Sequence, residues 1–449
     1  MGAPLDSPTI IAVCTPSGPG GVGLIRLSGA DALGIARKLF AARPRLGHHV
    51  RHVSHGRIID EDGAPIDTAL AWYLVAPSTY TGEDTVEIST HGSPAVMEFV
   101  IGRGIELGAR MAEPGEFTKR AFLNGKIDLL QAEAVADVIQ AQSLGSLETA
   151  YGVLDGGLSY RVGQMRESLV DALSRLEAMM DFSDDVAPHE VGNIARSIAR
   201  VESEAGSLVD SFRSARARLI GFRVVLVGQP NAGKSTLFNR LLGEERSIVT
   251  EVPGTTRDWV EGVVTWSGET IRLIDTAGLR DTEDVVEEAG VERTLEQEKS
   301  ADVVLHIVDV SDLGLPGVLA GLEETPGRIE VGSKGDLQAS NRGASEAGLL
   351  VLSAHTGEGI EELRTRILTE VTSARLENGS GPVRERHREL LLALRGATQR
   401  AGETALQENT WELAAAELQD GLRQIGELLG DGAEDAVLDR IFSEFCIGK

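Results

Sequence analysis

The 449-residue sequence predicts a multidomain protein of the α/β and α classes. Its parts are a mixed α+β N-terminal domain, a discontinuous helical bundle, and a P-loop α/β domain inserted into that bundle. Three observations predict this. GQPNAGKS, Gly228 to Ser235, lies between the apolar run Phe222–Val227 and the helix-like start Thr236-Leu237-Phe238-Asn239. Apolar stripes of helical period occur on both sides of that region. Residues 1 to about 126 instead carry short β-prone runs bounded by Gly, Pro and Asp. The length itself suits about three domains.

Strand, glycine loop and helix in succession are what a phosphate cradle requires. Gly228 and Gly233 let the backbone turn so that consecutive N–H groups face phosphate oxygens. The following helix adds its N-terminal dipole. Lys234 can reach the outer phosphates, and Ser235 can put its hydroxyl on a magnesium ion. Asn231, Ala232, Gly233, Lys234, Ser235 and Thr236 are therefore the candidate nucleotide-binding residues of the loop.

Four further motifs follow in the order of a GTPase. In Gly254-Thr255-Thr256-Arg257-Asp258 a threonine hydroxyl can complete the magnesium shell. Asp275-Thr276-Ala277-Gly278, after the apolar strand Ile271–Ile274, offers a carboxylate behind the magnesium and a Gly N–H for the terminal phosphate. Ser333-Lys334-Gly335-Asp336 follows a short strand ending at Val331. A carboxylate at Asp336 accepts two hydrogen bonds that guanine supplies and adenine does not. Leaving such a group unpaired costs about 1–3 kcal/mol, which selects GTP over ATP. Ser353-Ala354-His355, after Leu349–Leu352, can hold the base from its other edge. The base-reading motif opens with Ser333 where Asn is usual. Serine is too short to make both amide contacts, so weaker nucleotide affinity with guanine preference kept is expected.

Hydrolysis needs an oriented water. Many small GTPases place Gln after the Asp-x-x-Gly motif; here that residue is Leu279. The acids that follow, Asp281, Glu283, Asp284, Glu287 and Glu288, are each able to orient water, and spacing alone does not choose among them. No arginine finger is identifiable. A monovalent cation can take that role, with Asn231 and the carbonyls of the Thr250–Thr255 loop as oxygen ligands.

Formal net charge is −26, from 43 basic and 69 acidic residues. This argues against a broad electrostatic grip on nucleic acid, while allowing a local basic patch or a basic partner. Cys14 and Cys446 lie far apart and suggest neither a disulfide framework nor a zinc site, which fits a reducing cytoplasm. No signal peptide and no apolar stretch of membrane-spanning length is present, so no membrane association is expected. The terminal Cys446-Ile447-Gly448-Lys449 fits a prenylation box poorly.

In the N-terminal domain, Thr9–Val13, Val22–Leu27, Ala69–Val75 and Thr85–Ser89 read as strands. The glycine-dense Ser17–Gly23 lacks a Lys-Ser ending and precedes a strand, so it reads as a tight turn. Arg37 to Arg57 is the one obvious basic stretch and contains no carboxylate; it is either a solvated segment or an RNA contact. From Ile127 the period becomes helical. Val162, Met165, Leu169, Ala172, Leu176 and Met179 form one stripe, broken over Asp181 to Pro188. Ile194, Ile198, Val201, Ala205, Leu208, Phe212, Ala215 and Leu219 form a second, and Trp411, Ala415, Leu418, Leu422, Ile425 and Leu429 a third. Expected domains are 1–126, a first helical segment 127–219, the nucleotide domain 220–376, and a second helical segment 377–449 that opens with the linker Glu377–Pro382.

Along essentially its whole length the chain resembles the tRNA modification GTPase family MnmE, also called TrmE. The resemblance rests on Gly20–Gly29, Thr81–Gly92, Glu113–Ile139, the GTTRD and DTAGLR motifs, and the terminal Phe445–Lys449. It implies an N-terminal folate-binding domain, a two-segment helical bundle and an inserted Ras-like GTPase domain. It also implies a homodimer joined through the N-terminal domains, with 5-formyltetrahydrofolate bound there by residues matching Arg26, Glu87, Lys126 and Lys449. Potassium ligands fall on Asn231, Thr250, Val252 and Thr255, magnesium ligands on Ser235 and Thr256, and the catalytic carboxylate on Glu287. Cys446 belongs to the family's tail motif, and the resemblance implies a place for it in the modification chemistry. With an FAD-dependent partner of the MnmG (GidA) family, such a protein adds an aminomethyl or carboxymethylaminomethyl group to carbon 5 of the wobble uridine in tRNA, folate supplying the carbon. The other reading is a regulatory GTPase switch, in ribosome assembly or stress, that modifies nothing.

Overall fold

In the computed structural model, residues 7–181, 188–243, 260–276, 298–312, 327–337, 349–373, 381–407 and 410–449 are described. The chain forms two compact units. One comprises Met1–Ala136, Leu154–Ser174 and Ala415–Lys449; the other comprises Asp137–Val153 and Arg175–Ala414.

The first unit is built on a sheet of seven strands: β1 Ile10–Val13, β2 Gly20–Ser28, β3 Phe40–Ala42, β4 Ser54–Ile59, β5 Pro65–Leu74, β6 Thr85–Gly92 and β7 Arg110–Met111. Their order is β3-β4-β5-β6-β2-β1-β7, antiparallel except where β1 meets β7. Side chains alternate between faces as strand geometry demands. In β5, Ala69, Ala71 and Tyr73 are buried, while Thr68, Leu70 and Trp72 face the other way. Helices α1 (Ala32–Leu39) and α2 (Pro94–Glu106) cover the buried face. The core there joins Ile11, Ile25, Leu27, Ile58, Val86 and Ile88 to Ile35, Leu39 and Val100. Each such side chain stabilises the unit by roughly 1.5–3 kcal/mol. With that face committed to the core, register directs Trp72, Glu87 and Arg26 onto the opposite face, side by side on β5, β6 and β2. There α3 (Glu116–Leu123) packs Phe117 on Ile10, Ala12 and Ala112.

The chain's last residues belong to the same unit. Leu438 and Phe442 of α12 (Asp435–Ser443) and Phe445 pack with Leu129 and Ala132 of α4 (Leu129–Gln140). The tail then reaches β1. Gly448 has φ +96°, and a Cβ on it would lie 2.2 Å from the Val13 carbonyl oxygen. Only glycine allows that approach.

The second unit contains a six-stranded sheet of order β13-β12-β11-β8-β10-β9. The strands are β8 Phe222–Gly228, β9 Val260–Trp266, β10 Glu269–Asp275, β11 Val303–Asp309, β12 Arg328–Ser333 and β13 Leu350–Val351. All pairings are parallel except β9 with β10. Central β8 is an unbroken apolar run because both of its faces are packed: Val224 and Leu226 pack with Leu237 and Leu363, and Val225 and Val227 with Ile274 and Ala301. Helices α8 (Lys234–Leu242) and α9 (Ile360–Ser373) belong to this domain. The helices α7 (Pro188–Ile220) and α10 (Glu385–Ala405), one from each side of the nucleotide domain, pack along one another. That is the discontinuous bundle the sequence predicts. Ile194, Ile198, Val201, Ala205, Leu208 and Ala215 are its buried seam, with Phe212 and Leu219 half-buried. Among the described residues the remaining helices are α5 (Leu144–Leu154), α6 (Gly157–Asp181) and α11 (Trp411–Leu429), most of α6 and α11 falling in the first unit.

Two differences from the sequence reading stand out. Among the described residues, the first 126 hold seven strands and three helices, where the sequence marked four strands. β3 was not legible because it is a three-residue edge strand (FAA), and β4 (SHGRII) because its first four residues are polar or glycine and only Ile58 and Ile59 are apolar. The helices α1 and α2 interleave short apolar runs with glycine and charge, so no long stripe marks them. The expected strand Val22–Leu27 begins earlier, at Gly20, through an irregular register between Gly20 and Gly23.

Candidate functional sites

The nucleotide site starts where β8 ends. Gly228 has φ +148°, and a Cβ there would lie 2.2 Å from the Ile307 carbonyl oxygen of β11. Asn231 (φ 62°) and Gly233 (φ 92°) are left-handed and turn the chain into α8. Such succession makes an anion-binding concavity. Lys234 is only 6% exposed, and its ammonium donates to the carbonyls of Gly228 at 2.9 Å and Gln229 at 2.7 Å. The cation is thereby folded over the loop rather than extended into solvent. Asn231, Ser235 and Thr236 are exposed, the latter two on the first turn of α8. Asp275 ends β10 opposite Leu226 of β8 and is buried. Thr276 donates its hydroxyl to the Leu226 carbonyl at 2.8 Å, fixing the end of β10 beside the loop.

The base-reading motifs lie at the ends of β12 and β13. Ser333 is buried, and its hydroxyl bonds the carbonyls of Ala232 (2.6 Å) and Val308 (3.2 Å). It ties the phosphate loop to two strands and has no length left for the base. Lys334, at φ 60°, pairs with Asp309 at 2.5 Å. Burial raises the Asp309 carboxyl, but hydrogen bonds from Lys334 and Ser311 outweigh it and hold it below the ordinary carboxylate range. Asp336 is exposed; a hydrogen bond from the Ser353 hydroxyl, with the nearby His355, holds its carboxyl below the usual range. The amide of Gly335 donates to Leu352 at 3.0 Å, joining the two motifs. Ala354 is half-buried and His355 exposed beside them. Thr250, Val252, Thr255, Thr256, Ala277, Gly278 and Glu287 lie outside the described residues.

A second site forms on the open face of the N-terminal sheet. Arg26 donates to Glu87 Oε1 through Nε (2.8 Å) and Nη2 (2.7 Å), and Trp72 Nε1 donates to Glu87 Oε2 at 2.8 Å. The guanidinium lies 5.6 Å from the Tyr80 ring centre and 5.4 Å from that of Phe117. Tyr80 is fixed in turn by a 2.9 Å bond between its hydroxyl and Thr118. Lys126 is exposed and donates to the Pro77 carbonyl at 3.0 Å, in the same β5–β6 connection as Tyr80. The tail returns alongside, with the Phe117 amide bonding the Lys449 carbonyl at 3.1 Å and the Gly115 amide that of Cys446 at 3.4 Å. Burial pushes the Cys14 thiol up, against the pull of Arg26 and Lys449. Cys446 is exposed, and both cysteines are free. Trp72, Tyr80 and Phe117 escaped the sequence reading, which also gave Cys14 no place beside this cluster. Only the two-residue alternation along β2, β5 and β6 could have suggested that Trp72 shares a face with Arg26 and Glu87.

A phosphate loop between β8 and α8, a buried Asp at the end of the adjacent strand, and a Lys-Gly-Asp base motif directly after β12 define a P-loop GTPase. Residues 9–126 match the model of the GTP-binding protein TrmE N-terminus, and residues 129–446 that of the MnmE helical domain. The chain is 40% identical over 455 residues to the tRNA modification GTPase MnmE of Azoarcus sp. (strain BH72), covering 100% of this chain and 99% of that one. It is likewise 40% identical over 460 residues to the MnmE of Geobacter sulfurreducens, covering 98% and 99%. The chain belongs to the MnmE family of tRNA modification GTPases. Among solved structures, the G domain of the T. maritima FeoB iron transporter is 31% identical over 33% of this chain and 98% of that one, at a TM-score of 0.27. Among the described residues, no helix is long and apolar enough to cross a membrane.

Proposed function

We propose that this GTPase of tRNA modification works with a tetrahydrofolate, potassium and an FAD-dependent partner of the MnmG (GidA) family to install an aminomethyl or carboxymethylaminomethyl group on carbon 5 of the wobble uridine. In this reading it acts as a cytoplasmic homodimer joined through its N-terminal domains. The observation that carries the folate part is the Arg26–Glu87–Trp72 cluster walled by Tyr80 and Phe117. The donor set fits the group. Aromatic rings suit a flat pterin. A carboxylate has about four lone-pair positions; Arg26 fills two and Trp72 one, so Glu87 keeps about one with which to accept from a pterin N–H. The cations of Lys126 and Lys449 suit a glutamate tail. When bound, a folate such as 5-formyltetrahydrofolate supplies the one-carbon unit. Arg26 orients Glu87, and the tail bearing Cys446 is held beside that cluster.

The nucleotide site fits GTP with magnesium. Lys234 and the loop neutralise the phosphates, Ser235 with Thr256 holds magnesium backed by Asp275, and Asp336 reads guanine, with Lys334 and Ser353-Ala354-His355 shaping the base pocket. Thr276, Ala277 and Gly278 sense the terminal phosphate. Asn231, Thr250, Val252 and Thr255 are the potassium ligands, and the exposed amide of Asn231 is open to that role. Glu287 orients the attacking water. Hydrolysis drives a conformational cycle, not the carbon chemistry.

Nucleoside mass spectrometry on tRNA from cells lacking the gene tests the modification reading. Loss of the carbon-5 substituent, restored by the gene and not by an Arg26→Ala copy, is expected. Unchanged nucleosides leave a regulatory switch in its place. Hydrolysis at matched ionic strength is expected to be much faster in KCl than in NaCl; equal rates sink the potassium reading.

A further inference from the structure

The stretch from Arg37 to Arg57 carries six Lys or Arg and four of the nine His, and no Asp or Glu, in a chain of net charge −26. Five of these six cations divide into two groups; the sixth, Lys38, is exposed on α1. Arg37 donates to the Leu46 carbonyl at 2.9 Å and Arg51 to that of Ser78, so both brace the connection between β3 and β4. Arg43, Arg45 and Arg57 are exposed, and their side chains have no ion pair or hydrogen bond among the described residues. Between them His48, His49 and His52 stack edge to face, with ring centres 4.5 and 5.7 Å apart, all exposed. The acids that follow in sequence are engaged elsewhere. Asp60 accepts the amides of Asp62 (3.1 Å) and Ala64 (2.7 Å) in the next turn, and Asp60 and Glu61 lie near Arg103.

The patch is placed with respect to the candidate folate site. His55 and Arg57 pair across β4–β5 with Leu70 and Thr68, which share a face with Trp72. They therefore lie on the sheet face that carries Arg26 and Glu87. β4 is two strands from β6, or about 10 Å at ordinary strand spacing.

We propose that Arg43, Arg45 and Arg57, with the histidines between them, form a contact for the RNA phosphate backbone that brings the substrate tRNA to this face; the inference rests on the tRNA reading above. Unpaired guanidinium forks suit phosphate geometry. Contacts of this kind position a nucleic acid without reading its sequence. Three cations also fit the charge balance: they allow a local grip on RNA that the chain as a whole would repel.

The test is fluorescence anisotropy of a labelled, unmodified tRNA transcript with the full-length protein across a KCl series. The Arg43→Ala/Arg45→Ala/Arg57→Ala variant is expected to bind at least about tenfold more weakly near physiological salt. Its log–log salt slope is expected to be shallower by about 2, since each lost phosphate contact removes about 0.7–0.9. The matching Lys variant is expected to keep the wild-type slope. GTP hydrolysis by the Ala variant reports that it is folded. An unchanged slope overturns the proposal. So does loss of binding accompanied by a changed molar mass in solution, which would make the patch an interface between copies. Binding of acidic protein but not of transcript would assign it to a protein partner instead. A wild-type protein that leaves the transcript unbound at low salt also overturns the patch, whereas the modification reading is decided by the nucleoside analysis.

Discussion

The two sites of this molecule are assembled by opposite routes. The phosphate cradle is made by eight consecutive residues, Gly228 to Ser235, between one strand and one helix. Its binding groups are largely backbone, and the side chains that matter, Lys234 and Ser333, spend hydrogen bonds on loop carbonyls. The N-terminal cluster takes Arg26 from β2, Trp72 from β5, Glu87 from β6, Phe117 from α3 and the carbonyl of Lys449 from the last residue. Its polar groups are side chains, brought together by sheet register and by a tail that docks on β1. A local site tolerates change elsewhere; a distributed one fails when any strand or the tail shifts.

The sharpest way to break this contrast is at Lys234. Lys234→Ala is expected to slow GTP hydrolysis at least about 10²-fold, by removing a cation aimed at developing phosphate charge. Folate binding by calorimetry should be unaffected, and a parallel loss there would show the sites are not independent. Next in size, Arg26→Ala strands a largely buried Glu87 at a cost of about 1–3 kcal/mol, and folate affinity should fall by about tenfold or more. GTP hydrolysis by the same protein should stay near wild type. Arg26→Lys keeps the charge without the fork and should fall between.

Smaller effects belong to tuning positions. Ser333→Ala removes one hydrogen bond to the phosphate loop at Ala232 and one to β11 at Val308, each worth about 1 kcal/mol. Nucleotide affinity is expected to fall about fivefold, with guanine still preferred over adenine in competition, because Asp336 is untouched. A Ser333→Asn variant that tightens GTP binding would show that serine gives up a base contact; no gain would show that its strand tie is the whole of its role.

The smallest effect is in acid. Burial raises the Glu116 carboxyl, but the Glu113 amide and the guanidinium groups of Arg110 and Arg120 outweigh it and lower its pKa. A depressed folded-state pKa contributes stability above the unfolded value of about 4.3, and that contribution fades as pH falls through the folded value. Glu116→Gln should therefore lower the melting temperature at neutral pH, with the gap to wild type closing below about pH 4. A gap constant with pH would assign the loss to packing.

Much of the nucleotide domain was readable in advance because its determinants are short-range. A glycine that must be left-handed, an apolar run buried on both faces and a helix start are properties of neighbouring residues. The helical stripes were readable for the same reason, since a seam of period near 3.6 is written along the chain, and α7 against α10 realises it. Arg26, Glu87, Lys126 and Lys449 are different. As isolated residues they look like surface charges, and only a family resemblance singled them out. Trp72 and Tyr80 were not singled out at all.

The chain's local order of residues thus determined the class of enzyme, its phosphate loop and the helical seams. Tertiary structure alone decided which face Arg26, Trp72 and Glu87 share, that the last residues return to β1 through Gly448, that Ser333 is committed to the phosphate loop, and that three arginines of the basic stretch find no partner among the described residues. The physical reason is range. Backbone conformation and apolar period are set by residues a few positions apart. Register, tail docking and the pairing of charges depend on which distant segments meet, and that is settled only when the core closes.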